Sequence, residues 1–232
     1  MITPQNNIGN TVVVEFPLRG EWLTVNTPAE RVPSHGTNYF GQRYAYDFRR
    51  YVSHSPLPYS KGLWRHFAGR LKSEDCYSWG ELVFAPFSGE VLAVGDGWAD
   101  RVSLNLFPDL IRTRYFPRNA TPEDYRPLTG NYILLKGAFG VALFAHLRCG
   151  SLRVAKGQMV VTGELLGEVG NSGNSSMPHL HFHVMDCGDP FKANGILCKF
   201  SKYERFRKGV WELVDNSIPN YNEAIRSIQG CS

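Results

Sequence analysis

Along most of this chain the apolar residues come in short alternating or β-branched runs punctuated by glycine and proline. Thr11 to Phe16 (TVVVEF) is β-branched, and Gly41 to Phe48 (GQRYAYDF) ends in strict alternation. Glu81 to Val94 reads as strand, turn, strand around Ser88-Gly89. Asn131 to Lys136 and Val141 to Leu147 predict a hairpin over Gly137-Ala138-Phe139-Gly140. Met159 to Val161, Leu165 to Val169 and Leu180 to Val184 predict further strands. Helical periodicity is scarce. Tyr203 to Val214 predicts a helical turn or two, and Asn220 to Gln229 a short C-terminal helix after Asn220. Residues 52–80 and 98–128 lack a clear period and read as long loops rich in Trp, Tyr, Arg and Pro. Loops of that length in a compact domain are often functional. With no internal repeat and no linker, the pattern predicts one mainly β domain of sandwich or barrel type over residues 1–232, with its core at about 12–214 and a tail at 215–232.

Composition narrows the class. The 232 residues are 43% hydrophobic and 20% charged, which excludes disorder, collagen and coiled coil. No run approaches the ~20 apolar residues of a membrane span. The opening MITPQNNIGNTVVVEF has neither a basic start nor a continuous apolar stretch, so no cleaved signal is expected. The corresponding expectation is a cytoplasmic chain, or one released by a non-classical route. The net charge of +4 is modest, and no Lys/Arg block marks a nucleic-acid arm. The densest basic stretch, Lys61 to Lys72 with Arg65, His66 and Arg70, reads as a solvated loop. Five cysteines, at 76, 149, 187, 198 and 231, form no C-x-x-C pair, which argues for reduced thiols and against a thiolate zinc site.

The candidate chemistry lies in Gly170 to Asp186, GNSGNSSMPHLHFHVMD. On a strand, alternate side chains share a face. His179, His181 and His183 therefore lie on one face, and Leu180, Phe182 and Val184 on the other, toward a core. Three imidazoles on one face need partners if buried, and imidazole is the commonest metal ligand. With no thiolate pattern, further ligands must be histidine or carboxylate. His146 ends the strand VALFAHL, where alternation puts it on the face of Phe144. Asp47 in YAYDF lies opposite Tyr44, Tyr46 and Phe48 and needs a partner.

These residues resemble the M23 family of zinc metallopeptidases, the lysostaphin- or LytM-like peptidoglycan endopeptidases. The resemblance runs from about Val12 to Val214. GNSGNSSMPHLHFHV carries most of it, supported by APFSGEVLAVGDG, GNYILLKG, AHL, VAKGQMVVTGELLGEVG and QRYAYDF. It implies an antiparallel β domain of the duplicated hybrid motif type with a groove over a central sheet. It also implies one zinc per chain, with His181 and Asp47 as ligands and His179 and His146 as catalytic histidines. The usual H-x-x-x-D ligand pair is altered: the position four residues before Asp47 is Arg43, which cannot bind zinc. The nearest upstream histidine, His35, is expected to complete the set across twelve residues. His183, where relatives often carry an acid or amide, is read as a plain surface residue, with a role in orienting a ligand as the alternative.

The implied reaction is amide hydrolysis by a zinc-activated water acting on peptidoglycan cross-link or stem peptides. No H-E-x-x-H glutamate base is present. His179 is assigned to water activation or proton transfer to the leaving amine and His146 to the oxyanion, or the reverse. Asn131 and Tyr132 lie on a possible groove strand and are assigned no role. Three alternatives remain open at this level. One is an inactive M23-like domain that binds glycan-peptide or regulates another hydrolase, motivated by Arg43. The second is a cysteine enzyme using Cys149. The third is a phosphocarrier with facing histidines, against which Asp47 argues.

Overall fold

The structure, a computed structural model, describes residues 11–115 and 120–228, together with the backbone of the helix ending at Tyr115. The signal-sequence expectation for residues 1–10, and Cys231, lie outside the described residues. The N-terminal strands are β1 (Val12–Val14), β2 (Glu21–Asn26), β3 (Tyr46–Arg50), β4 (Leu71–Lys72), β5 (Leu82–Phe84), β6 (Gly89–Gly95) and β7 (Ser103–Leu104). They are followed by β8 (Asn131–Gly137), β9 (Gly140–Leu147), β10 (Met159–Val160), β11 (Leu165–Glu168) and β12 (Leu180–Met185). The last are β13 (Gly195–Ile196), β14 (Cys198–Arg207), β15 (Val210–Ser217) and β16 (Ala224–Arg226). Among the described residues three α-helices accompany them, α1 (Leu63–Phe67), α2 (Leu106–Tyr115) and α3 (Arg126–Thr129), with short 3-10 turns at Tyr39–Tyr44 and Ser73–Asp75.

One large sheet runs β1-β14-β16-β2-β3-β12-β9-β8-β6-β10, with β13 beside β12 and β15 beside β14. Its pairings are antiparallel except β1 with β14. The centre, β3-β12-β9-β8, is buried on both faces, with an apolar face toward the main core and an opposite face that mixes apolar residues with the buried Asp47, His181 and His183. Leu180, Phe182 and Val184 of β12 meet Phe48, Phe144 and Phe200 in the main core. On the opposite face Leu134, Leu143, Ala145 and Met185 pack with Phe40. Tyr59, Leu71, Cys76 and Leu104 form a third, smaller core in the inserted segment, and Met177 packs against it.

The mainly β class and most predicted strands are present, and three expectations need correction. Tyr203 to Val214 is the β14–β15 hairpin rather than a helix. Its two-residue turn, Lys208-Gly209, has both φ positive, at 48° and 85°, the conformation that matches the right-handed twist of paired strands. The expected C-terminal helix is instead β16, which pairs with β2 and β14, so residues past 214 belong to the sheet. The loops 52–80 and 98–128 contain α1, α2, α3 and the short β4–β7 ladder. All four described cysteines are free.

Candidate metal centre

Strand register delivers the first two groups. His181 of β12 lies directly opposite Asp47 of β3 on one side and Ala145 of β9 on the other. Directly opposed residues hold their side chains within reach, and His181 Nδ1 is 2.9 Å from Asp47 Oδ1. The third group arrives from a loop. After β2 the chain makes a long excursion that brings His35 Nε2 to 2.9 Å from Asp47 Oδ2. The donor atoms of His35, Asp47 and His181 all lie within 4.8 Å of one another. Arg43 is turned elsewhere, bonding Asn38 Oδ1 at 2.8 Å and Tyr44 Oη at 3.2 Å.

Each donor is held from behind. His35 Nδ1 is 3.1 Å from Ser34 Oγ, leaving Nε2 toward the carboxylate. His181 Nε2 is 3.1 Å from His183 Nδ1, leaving its Nδ1 toward Asp47. His183 is thus no surface residue. It is 1% exposed, and its position two residues along the same face puts it behind His181. Asn26 Nδ2 donates to Asp47 Oδ2 at 2.6 Å. Sequence reasoning missed Asn26 because Val25 is an extra residue in the β2–β3 pairing, between Thr24 opposite Phe48 and Asn26 opposite Asp47.

A second bulge redirects His146. Between Asn131 opposite Leu147 and Ile133 opposite Phe144, β9 has two residues facing one on β8. His146 has a φ of +62°, an unusual value for a residue with a side chain. The bulge turns it away from the core face of Phe144, where alternation placed it. Its ring centroid lies 4.8 Å from that of His179 and 5.9 Å from that of His181. The serine-rich loop fixes this arrangement. Ser172 donates its hydroxyl to the Leu147 carbonyl at 2.7 Å and accepts the Asn131 amide at 2.9 Å, while its own carbonyl is 2.9 Å from His146 Nδ1. Gly173, at φ +69°, lies so close to Gly130 that a Cβ there would fall 2.1 Å from the Gly130 nitrogen. His179 Nδ1 is 2.7 Å from the Met177 carbonyl and 3.2 Å from Ser175 Oγ. His179 Nε2 is 3.5 Å from Asp47 Oδ1.

Burial and mutual proximity set the charge states. Burial raises the Asp47 carboxyl, but His35, His179 and the hydrogen bonds from His179 and His181 outweigh it and hold it well below its ordinary value. Burial holds His146 well below the usual imidazole value, helped by the nearby His179 and His181. Burial also lowers His183 strongly and His181 less, with Asp47 opposing in each case. His179 goes the other way: burial lowers it, and the adjacent Asp47 carboxylate outweighs that and raises it. The cluster therefore combines a carboxyl held low, three imidazoles, His146, His181 and His183, pushed toward the neutral form, and one, His179, pushed toward the cation.

The rings open into a groove of about 750 Å³ walled by Arg31, Tyr39, Phe40, Gln42, Leu128 and Asn174. Asn131 and Tyr132 do not line it. The Asn131 side chain instead bonds the Trp98 backbone and the Leu147 carbonyl. Cys149 lies outside the groove, and burial with nearby Asp96 and Asp100 raises its thiol, which disfavours a thiolate nucleophile.

The family profile described as peptidase family M23 matches residues 76–193. Peptidoglycan DD-endopeptidase ShyA of Vibrio cholerae is 33% identical over 67 residues, which are 29% of this chain and 15% of that protein. The chain therefore matches only a small part of that relative. Among solved structures, the catalytic domain of the antimicrobial peptidase lysostaphin from Staphylococcus simulans is 16% identical with a TM-score of 0.38, covering 76% of this chain and 88% of that one. A zinc-containing peptidase from Vibrio cholerae is 19% identical with a TM-score of 0.33, covering 64% and 36%. The profile spans His146, His179, His181 and His183, while His35 and Asp47 lie upstream of it and join them through the fold. With half of its length matched by that profile, the chain belongs to peptidase family M23.

Proposed function

We propose that this chain is a zinc-dependent endopeptidase acting on peptidoglycan cross-link or stem peptides. The observation that carries the reading is the convergence of His35, Asp47 and His181 on one point, with His146 and His179 beside it. The donor set suits zinc: two imidazole nitrogens and one carboxylate oxygen, with each imidazole's second nitrogen engaged by a neighbour. His35, Asp47 and His181 would hold the zinc, which would supply Lewis-acid chemistry for activating water to about pKa 7 and for polarising the scissile carbonyl.

The chain's own groups supply the proton handling. His146, held neutral with its Nδ1 at the Ser172 carbonyl, offers Nε2 as a proton acceptor for the attacking water. His179, favoured as a cation with Nδ1 at the Met177 carbonyl, offers Nε2–H to the oxyanion and then to the leaving amine. Asn26 fixes the carboxylate rotamer by occupying Oδ2. The approach of His35 Nε2 to Asp47 supports it as the donor that Arg43 cannot be, and so favours the active reading over that of an inactive binder. The reading extends to a chain that meets its substrate at the cell wall.

The test is elemental analysis of the purified protein beside His181→Ala, followed by mass spectrometry of digested muropeptides. The expected result is about one zinc per chain, lost in the variant together with cross-link cleavage. A wild-type chain that stays metal-free after dialysis against zinc sinks the reading.

A further inference from the structure

The two longer helices of the inserted segment are built inside out. On α1, His66 is buried, its ring 5.4 Å from that of Tyr59. On α2, Asp109 is buried and ion-paired with Arg101. Five large apolar side chains face water: Leu63, Trp64 and Phe67 on α1, and Phe107 and Ile111 on α2. Trp64 is 57% exposed, Phe107 60% and Ile111 51%. Residues three and four apart are neighbours on a helix surface, and the Phe67 and Phe107 rings, 5.7 Å apart, join the two helices into one patch. Scattered exposed apolar residues are ordinary, but five clustered on a helix pair whose polar groups point inward mark an interaction surface.

The charge around the patch has one sign. Residues 61–72 contain Lys61, Arg65, Arg70 and Lys72 and no acid, and Asp109 of α2 is buried. Among the described residues Lys61, Arg65 and Arg70 make no ion pair. The Arg65 guanidinium lies 5.4 Å over the Trp64 ring. The sequence reading of Lys61 to Lys72 as a solvated loop does not account for three exposed hydrophobes among these cations.

We propose that the α1–α2 face docks on the surface of an anionic phospholipid bilayer. Trp, Phe, Leu and Ile enter the interfacial zone while Lys and Arg reach the lipid phosphates. A second copy of the chain fits the patch less well, because a two-fold contact sets the same cations against each other. No described helix is long and apolar enough to cross a membrane, so the attachment is peripheral. His66 of α1 packs on Tyr59 of the small core of Tyr59, Leu71, Cys76 and Leu104, which is separate from the main core of the large sheet.

The test is co-sedimentation of the chain with vesicles of phosphatidylcholine alone and of phosphatidylcholine containing about 30% phosphatidylglycerol. The expected result is at least roughly tenfold stronger binding to the anionic vesicles, weakening as salt is raised. Arg65→Gln and Arg70→Gln are each expected to weaken that binding about fivefold. The double variant Trp64→Ser/Phe107→Ser is expected to lose it while keeping the wild-type melting temperature. Absence of wild-type binding at low salt, or binding unchanged in the double variant, overturns the proposal. So does a dimer in sedimentation equilibrium that Trp64→Ser dissolves, since the patch is then a contact between copies.

Discussion

Strand β12 and the helix pair α1–α2 both bury polar side chains, and they do so to opposite ends. On β12 the histidines face a groove and the apolar residues face the main core, so burial concentrates chemistry while Phe182 holds the sheet. On α1–α2 the buried Asp109 pairs with Arg101, which precedes β7, and Leu63, Trp64, Phe67, Phe107 and Ile111 are left in water. Burial by itself therefore does not mark a site. Imidazoles that converge around an ionised carboxylate carry chemistry, whereas an internally paired ion leaves the function to the outer surface.

That contrast yields a graded set of expectations. His146→Ala is expected to lower kcat by about 10²–10⁴-fold while zinc content stays at the wild-type level. Muropeptide turnover measured beside metal analysis separates that outcome from loss of the metal. Next come two aromatic truncations of equal size. Phe182→Ala is expected to cost about 3–5 kcal/mol in urea unfolding, and Phe107→Ala to stay within about 0.5 kcal/mol of wild type. Equal costs break the contrast between the two regions. His183→Leu is expected to weaken zinc binding about 10–100-fold, and His183→Asn, whose amide oxygen occupies the place of Nδ1, to restore most of it. Competition with a chromogenic chelator reads this, and identical behaviour of the two variants removes His183 from the site.

The smallest effect is on stability against pH. His146, His181 and His183 have depressed values in the folded chain, so below about pH 6.5 the unfolded chain binds protons that the folded chain refuses. Their contribution is fully present above that pH and lost as pH falls. His179, raised, acts in the opposite sense, contributing below pH 6.5 and losing its contribution as pH rises through its folded value. In the site three depressed groups oppose one raised group, and His66, also lowered by burial, acts with the three. The melting temperature of EDTA-treated protein is therefore expected to fall by a few degrees between about pH 7.5 and 5.5. His183→Asn is expected to flatten that slope.

Much of the architecture was legible because a period of two survives in sequence. The face shared by His179, His181 and His183, the core face of Leu180, Phe182 and Val184, and the β8–β9 hairpin all follow from alternation. What alternation could not carry was its own interruption. The bulge at Ala145-His146 reverses the direction of His146, and the extra Val25 brings Asn26 to Asp47. His35 was reachable as the nearest histidine upstream of Asp47, yet only the folded loop puts it there. The α1 helix read as loop because its five residues are too few to show a period, whereas Leu106, Phe107, Leu110 and Ile111 of α2 carry a helical spacing that sequence reasoning missed. The Lys208-Gly209 turn was the missed signal in the β14–β15 hairpin, where alternating Tyr203, Arg205 and Arg207 flank it.

The excursion that carries His35 also contributes Gly36, Thr37, Tyr39 and Phe40 to the groove wall. One connection thus sets both the position of a proposed metal donor and the contour that a substrate meets. Two traits that a four-residue spacing on one strand keeps apart are here inherited together. Any insertion, deletion or engineered exchange in residues 27–44 that reshapes substrate preference also shifts metal retention, so variants selected for a new substrate must be screened for both.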